Sequence, residues 1–255
     1  MHEVCDRMHV LHPRTSAFTV LPADIAAVHE SRSKPFISLS LLGRIPSTGE
    51  YKVLRIHWYF KYNKPGHQTC EVMALGNDGG DGRWSAMASP PVHVRLDGVV
   101  VNGAIYLLSD SRYGEIASFN LATEEWRPGT LQGPPLSSCD QESSICFNLA
   151  KLNGSLVTIC RYYRLEVNYT DRMDLWFSVD MDKGLWTKLY TLQCTPRCRC
   201  GLTSPLEVLN DGRILLWEDE GKCIRVYDPK TNISTDVAKL KNFSSVCKYE
   251  GSLLC

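Results

Sequence analysis

The chain has 255 residues, 44% of them hydrophobic, with 28 basic and 28 acidic side chains and a formal net charge of zero. That length buries a sizeable core in one large domain, and the charge balance argues against nucleic acid or an anionic membrane surface as a partner, both of which favour a basic excess. No uncharged apolar stretch approaches the roughly 18–20 residues that span a bilayer, and Met1-His2-Glu3 opens no basic-then-apolar leader, so the reading is a cytosolic or nuclear protein.

Taken in chain order, the sequence reads as short strands closed by Gly, Pro, Asn or Asp. Residues 3–22 hold two strands, Val4–Leu11 and Phe18–Leu21, joined by His12–Ser16. The one helix-like patch is Ala23–Glu30, about two turns long. Residues 35–88 hold four strands, Phe36–Leu42, Tyr51–Phe60, Thr69–Leu75 and Arg83–Met87, with Pro46-Ser-Thr-Gly49 as the first hairpin turn. Residues 92–131, 145–192 and 204–239 form three further units.

A four-beat phrase recurs through these units. A polar-Gly corner (Asn102-Gly103, Asn153-Gly154, Asp211-Gly212) leads into an apolar strand. A second strand then ends in a polar turn such as Ala122–Glu125 or Pro229–Asn232. Pro presets φ there and Thr or Asn side chains bond the local backbone, which reverses the chain tightly. The aromatic that follows (Phe18, Trp84, Trp126, Trp186) is expected to pack between adjacent units. Strand-built repeats of roughly 40–50 residues indicate a β-propeller of four-stranded antiparallel blades. Tyr249–Cys255 restarts the phrase and Val10–Phe18 supplies its second half, so one blade is shared by both ends of the chain and the ring closes without open edges. Five blades are read directly, six if a divergent stretch hides another.

These phrases resemble the plant F-box-associated domain. Val10-Leu-His-Pro-Arg-Thr-Ser-Ala-Phe-Thr-Val-Leu-Pro22 looks like the opening segment of that family. Leu42-Gly-Arg-Ile-Pro-Ser-Thr-Gly-Glu-Tyr-Lys-Val-Leu-Arg55 is the most specific match. Cys70–Leu75 with Trp84, Val101–Leu108 with Ile116–Trp126, and Met173–Phe177 with Trp186–Leu192 follow in the same order, over nearly the whole chain. The resemblance implies a kelch-like propeller that captures a target protein. In such proteins an N-terminal F-box binds the Skp1-type adaptor of a cullin-RING ubiquitin ligase. Here the propeller begins almost at Met1, so no F-box is read and adaptor binding is expected only if a longer parent protein carries one. Leu21–Ile25 echoes an F-box opening but reads better as a loop between blades.

Chemistry has little foothold. There is no nucleophile elbow, zinc-protease helix, dinucleotide loop or phosphate loop. Glu115, Asp180 and Asp228 could converge at a propeller mouth, as in a carbohydrate-active propeller enzyme, but solvated turn positions account for them as well. Cys194, Cys198 and Cys200 give three thiols without a fourth zinc ligand nearby, since all seven histidines lie at or before His93. Gly76–Gly82 lacks the carboxylate order of a calcium loop and reads as a hairpin tip. Eleven cysteines, an odd count without a secretory leader, read as reduced thiols, and the sequons at Asn153, Asn168, Asn232 and Asn242 as unmodified. No catalytic, cofactor or metal residue is assigned.

The binding candidates lie in the loops between second and third strands, where Trp, Tyr and Arg concentrate as they do in protein-binding hot spots. They are Trp58, Tyr59, Tyr62, Arg112, Tyr113, Arg161, Tyr162, Arg164 and Tyr169. The competing reading is that these residues extend strand pairing and core packing. The function expected is a non-enzymatic interaction module selecting a target for ubiquitination. An interaction scaffold or truncated receptor with no ligase connection is the alternative, and a carbohydrate-active propeller enzyme a second.

Overall fold

Each repeat folds, in the computed structural model, as an up-and-down antiparallel sheet. The structure describes residues 9–11, 18–29, 35, 37–61, 64–75, 82–111, 114–136, 144–164, 169–193, 203–241, 243 and 246. The first sheet pairs β1 (His9–Leu11) with β2 (Phe18–Val20). The second runs β3 (Ile37–Arg44), β4 (Tyr51–Lys61), β5 (Lys64–Leu75) and β6 (Ser85–Met87). The third runs β7 (Val94–Val101), β8 (Ala104–Ser109), β9 (Ile116–Asn120) and β10 (Glu125–Trp126). The fourth contains β11 (Ser144–Leu152), β12 (Ser155–Arg164), β13 (Tyr169–Asp180) and β14 (Leu185–Gln193). The fifth contains β15 (Thr203–Val208), β16 (Ile214–Glu218), β17 (Cys223–Asp228) and β18 (Ile233–Lys239).

In every four-stranded sheet, chain order equals spatial order, and β3, β7, β11 and β15 lie side by side in sequence. These are the inner strands of a β-propeller, with four complete blades and a two-stranded first sheet. The helix-like patch is a single 3-10 turn, Ala27–His29. Apolar spacing over two turns gave way there to a linker between the first two sheets. The contribution expected from Tyr249–Cys255 to ring closure lies outside the described residues, as do Val4–Met8.

Local chemistry explains the turns. Asn102 (φ 49°) and Gly103 (φ 77°) both sit in the left-handed region, the geometry of a two-residue hairpin, and so do Asn153 and Gly154 (φ 49° and 80°). At the outer corners Asn120 Oδ1 accepts from the amides of Ala122 (2.8 Å) and Thr123 (3.2 Å). Asp180 Oδ1 does the same for Asp182 and Lys183 (3.0 and 3.1 Å), and Asp228 Oδ1 for Lys230 (2.8 Å). Four positions on, Glu124, Gly184 and Asn232 take positive φ and turn the chain into its last strand.

The tryptophans that follow carry the interlock between blades. Trp84 Nε1 donates to Pro22 O (3.0 Å), Trp126 Nε1 to Ala88 O (2.8 Å) and Trp186 Nε1 to Gln132 O (2.9 Å). Each ring therefore ties its blade to the segment leaving the preceding one, as the repeat pattern predicts. The Phe18 side chain lies outside the described residues. In the fifth blade the equivalent position is Ser234, which is exposed, and this lock is missing.

The core is divided among the seams between successive sheets. One cluster joins the first two around Leu21, Val53, Met73 and Trp84, and another packs Leu54, Ile56 and Trp58 against Ile105, Leu107 and Phe119. A third centres on Ile116, Phe147, Leu156 and Tyr162, and a fourth on Ile159, Leu175, Ile214 and Leu216. Alternate residues of one strand serve different seams: Leu156 and Cys160 face the third blade, Val157 and Ile159 the fifth. The four described cysteines, Cys70, Cys146, Cys160 and Cys223, are free thiols, and burial pushes the Cys70 thiol well up.

Inner strands approach closely where side chains are small. A Cβ on Gly98 of β7 would sit 2.8 Å from both Leu107 Cδ2 and Leu41 Cδ1 and 3.0 Å from the Tyr106 carbonyl oxygen. The side chains can yield but the backbone oxygen cannot readily follow. Gly98→Ala is expected to cost about 1–3 kcal/mol in chemical unfolding; an unchanged midpoint would show that the inner strands have slack.

Candidate interaction site

The candidate residues separate into groups once the strands are placed. β4 extends to Lys61, so Trp58 and Tyr59 are strand residues and not a loop. Trp58 is 4% exposed and donates from Nε1 to Val94 O at 3.2 Å; Tyr59 is 1% exposed and stacks on His67 at 4.7 Å. Tyr162 on β12 is likewise buried, with the Arg172 guanidinium 3.9 Å over its ring. The structure thus corrects their expected placement on an exposed loop. A strand lying inside its sheet with a blade on each face has no free side, so large aromatics there fill the seams. Arg164 and Tyr169 are paired across β12 and β13, their side chains outside the described residues. Tyr62, Arg112 and Tyr113 are outside them altogether. Among the candidate side chains that are described, Arg161 alone lines a cavity.

That cavity runs along the axis. Its main chamber, about 860 Å³, is lined by all four inner strands, through Leu42, Arg44, Val99, Val100, Ala150, Lys151, Pro205 and Leu206, together with Tyr51, Asn102 and Gly103. On β3, β7 and β11 these residues lie in the half nearest the first hairpin turn, at the end opposite to the second-to-third strand loops, whereas on β15 they are Ser204, Pro205 and Leu206, toward its start and middle. Leu42 and Tyr51 are 41% and 46% exposed at its rim. The charged residues among its described lining are both cations, Arg44 and Lys151. Arg44 makes one long bond, Nε to Gly49 O at 3.4 Å, and no ion pair among the described residues.

A polar neck of about 240 Å³ adjoins the chamber through the shared residues Ala150, Ser204 and Pro205. Asn148 Nδ2 donates to Asp97 Oδ2 at 2.9 Å, and Arg161 donates to Asn148 Oδ1 and to Thr203 O (2.6 Å). Asp97 Oδ1 is buried and accepts no hydrogen bond among the described residues.

A second buried polar group has a structural role. Glu71, fully buried on β5, accepts at Oε1 from Arg55 Nε and from His57 Nε2, both at 2.6 Å, and at Oε2 from the Ala26 amide at 2.7 Å. Arg55 NH2 continues to Asp24 O at 2.5 Å, and its guanidinium lies 3.8 Å over Trp84. This network holds the linker after β2 against the second blade. Burial alone would raise the Glu71 carboxyl, but the His57 bond, the Ala26 amide and Arg55 outweigh it and hold it below the usual carboxylate range. Among the described residues no cluster of three or more His, Cys, Asp or Glu has metal-ligand geometry; Cys194, Cys198 and Cys200 lie outside them.

The sequence reading did not single out Arg44, Tyr51, Lys151 or Asp97. Arg44 and Tyr51 stand within the Leu42–Arg55 segment, and Lys151 two residues before Asn153 of the Asn153-Gly154 corner. For these three, the shared place near a first hairpin turn was the available signal; Asp97 had none.

The sequence matches the family described as F-box associated beta propeller domain over residues 1–247. No curated protein sequence matches it. Among solved structures, YjhT superposes with a TM-score of 0.45 at 11% identity, covering 82% of this chain and 68% of that one. Puromycin hydrolase gives 0.47 at 14% identity, over 91% of this chain and 35% of that one. The H270A virginiamycin B lyase from Staphylococcus aureus gives 0.37 at 10%, over 82% and 76%. With TM-scores below 0.5, these likenesses carry no argument about this chain.

Proposed function

The chain belongs to the F-box associated beta propeller family, and from that membership we propose that it is the substrate-recognition module of a cullin-RING ubiquitin ligase. The propeller holds a target protein, and attached partners carry out ubiquitin transfer. The module itself catalyses nothing; its work is positioning. A Skp1-type adaptor joins through an F-box carried by the parent protein, and the site of action is the cytosol or nucleus. The observation that supports this reading best is the family match across residues 1–247. The axial chamber, open and lined by a mix of apolar and cationic side chains, supplies a surface on which a target could be gripped.

Co-purification of the protein, expressed from its full reading frame, with a Skp1-type adaptor tests the ligase half of the proposal. The expected result is recovery of the adaptor together with a target that accumulates when the protein is removed. Recovery of a target without the adaptor would leave an interaction scaffold and overturn the ligase assignment. Recovery of neither would overturn both.

A further inference from the structure

We propose that the axial chamber binds an extended acidic peptide segment of the partner, with a carboxylate side chain between Arg44 and Lys151 and an apolar side chain beside it. The inference rests on the reading of the protein as an interaction module and names the chemistry of what is captured.

Charge complementarity selects the occupant. The whole chain is neutral, yet the described lining of the chamber holds two cations and no carboxylate. A guanidinium prefers a planar anion that it can bond through two N–H groups, and Arg44 is exposed without an acidic partner among the described residues. Most of the remaining wall is apolar, with Leu42, Tyr51, Val99, Val100 and Leu206, and Asn102 and Ser204 add neutral polar groups. A basic or uncharged polar ligand would desolvate these groups without replacing their contacts.

Size and backbone chemistry favour a peptide. A chamber of about 860 Å³ is large for a single side chain. The strands that form its wall are the inner edges of their sheets, so main-chain donors and acceptors face the axis without a neighbouring strand to take them. Deeper in the neck, the buried Asp97 Oδ1 accepts nothing among the described residues and is placed to take an N–H from the same ligand.

The test is a randomised peptide library displayed on phage and selected on the wild-type protein, followed by affinity measurement of the recovered peptides. The expected peptides carry Asp or Glu next to Leu, Ile, Val or aromatic residues, and bind more weakly as salt is raised. Arg44→Glu and Lys151→Glu are each expected to weaken binding by about tenfold or more, and Arg44→Glu to keep a thermal midpoint close to wild type because that side chain is exposed. Arg44→Lys should recover part of the loss. Peptides rich in Lys or Arg, or acidic peptides that bind Arg44→Glu as well as wild type, would overturn the proposal. So would a library that yields no enrichment. If enriched peptides compete with a captured partner yet ignore Arg44 and Lys151, the module reading stands and the chamber assignment falls.

Discussion

Glu71→Ala lowers the unfolding free energy by about 3–5 kcal/mol, the cost of leaving a buried charge without its partner. The Arg55 guanidinium remains enclosed with, among the described residues, only the Pro22 and Asp24 carbonyls to accept from it, and the Ala26 amide and His57 Nε2 lose their acceptor. The thermal midpoint falls by roughly 10 °C. The link between the first sheet and the second blade goes with it, so proteolysis near residues 21–29 increases well below the global transition. Glu71→Gln keeps the volume but not the charge and recovers only part of the loss. An unchanged midpoint would mean that the network contributes nothing net.

The same carboxylate sets an acid limit. Its folded-state pKa is depressed, so the stabilisation is complete above the unfolded value near ~4.3 and is lost as pH falls through the lower folded value. Wild type therefore loses stability below about pH 4.3, and Glu71→Gln has a shallower acid slope in denaturation followed by circular dichroism.

Trp58→Ala is the second large effect, expected to cost about 3–5 kcal/mol. The ring is 4% exposed in the seam between the second and third blades, and its N–H reaches Val94 O, which also accepts from Gln68 Nε2 at 2.6 Å. Trp58→Phe retains most of the packing and gives up about 1 kcal/mol with the hydrogen bond. A binding-face tryptophan would behave the other way, leaving stability nearly intact and abolishing partner capture. Equilibrium unfolding and capture of the partner by the folded fraction separate the two roles.

Legibility differed from element to element. The Asn102-Gly103 and Asn153-Gly154 corners, the turns after Asn120 and Asp180 and the tryptophans that follow them act locally or repeat along the chain. Each can be read because its physics is completed within a few residues, or because the same demand recurs in the next blade. The aromatic stretches of β4 and β12 were harder. Trp58, Tyr59 and Tyr162 have the composition of a binding loop, and the same large rings are what a seam between two sheets needs. Composition states what a residue can do, while burial decides which use it is put to.

The sequence by itself determined the repeat, the antiparallel blades, their approximate boundaries and the family, since all depend on hydrophobic patterning and turn chemistry along the chain. Only the tertiary structure decided where the cavity opens and which charges share it. Arg44, Asp97 and Lys151 are far apart in sequence and belong to three different blades, and they share one axis because inner strands from separate repeats converge there. It decided equally that Glu71, an ordinary strand carboxylate in the sequence, is enclosed by a linker more than forty residues away. Convergence of distant segments is a property of packing, and no local pattern encodes it.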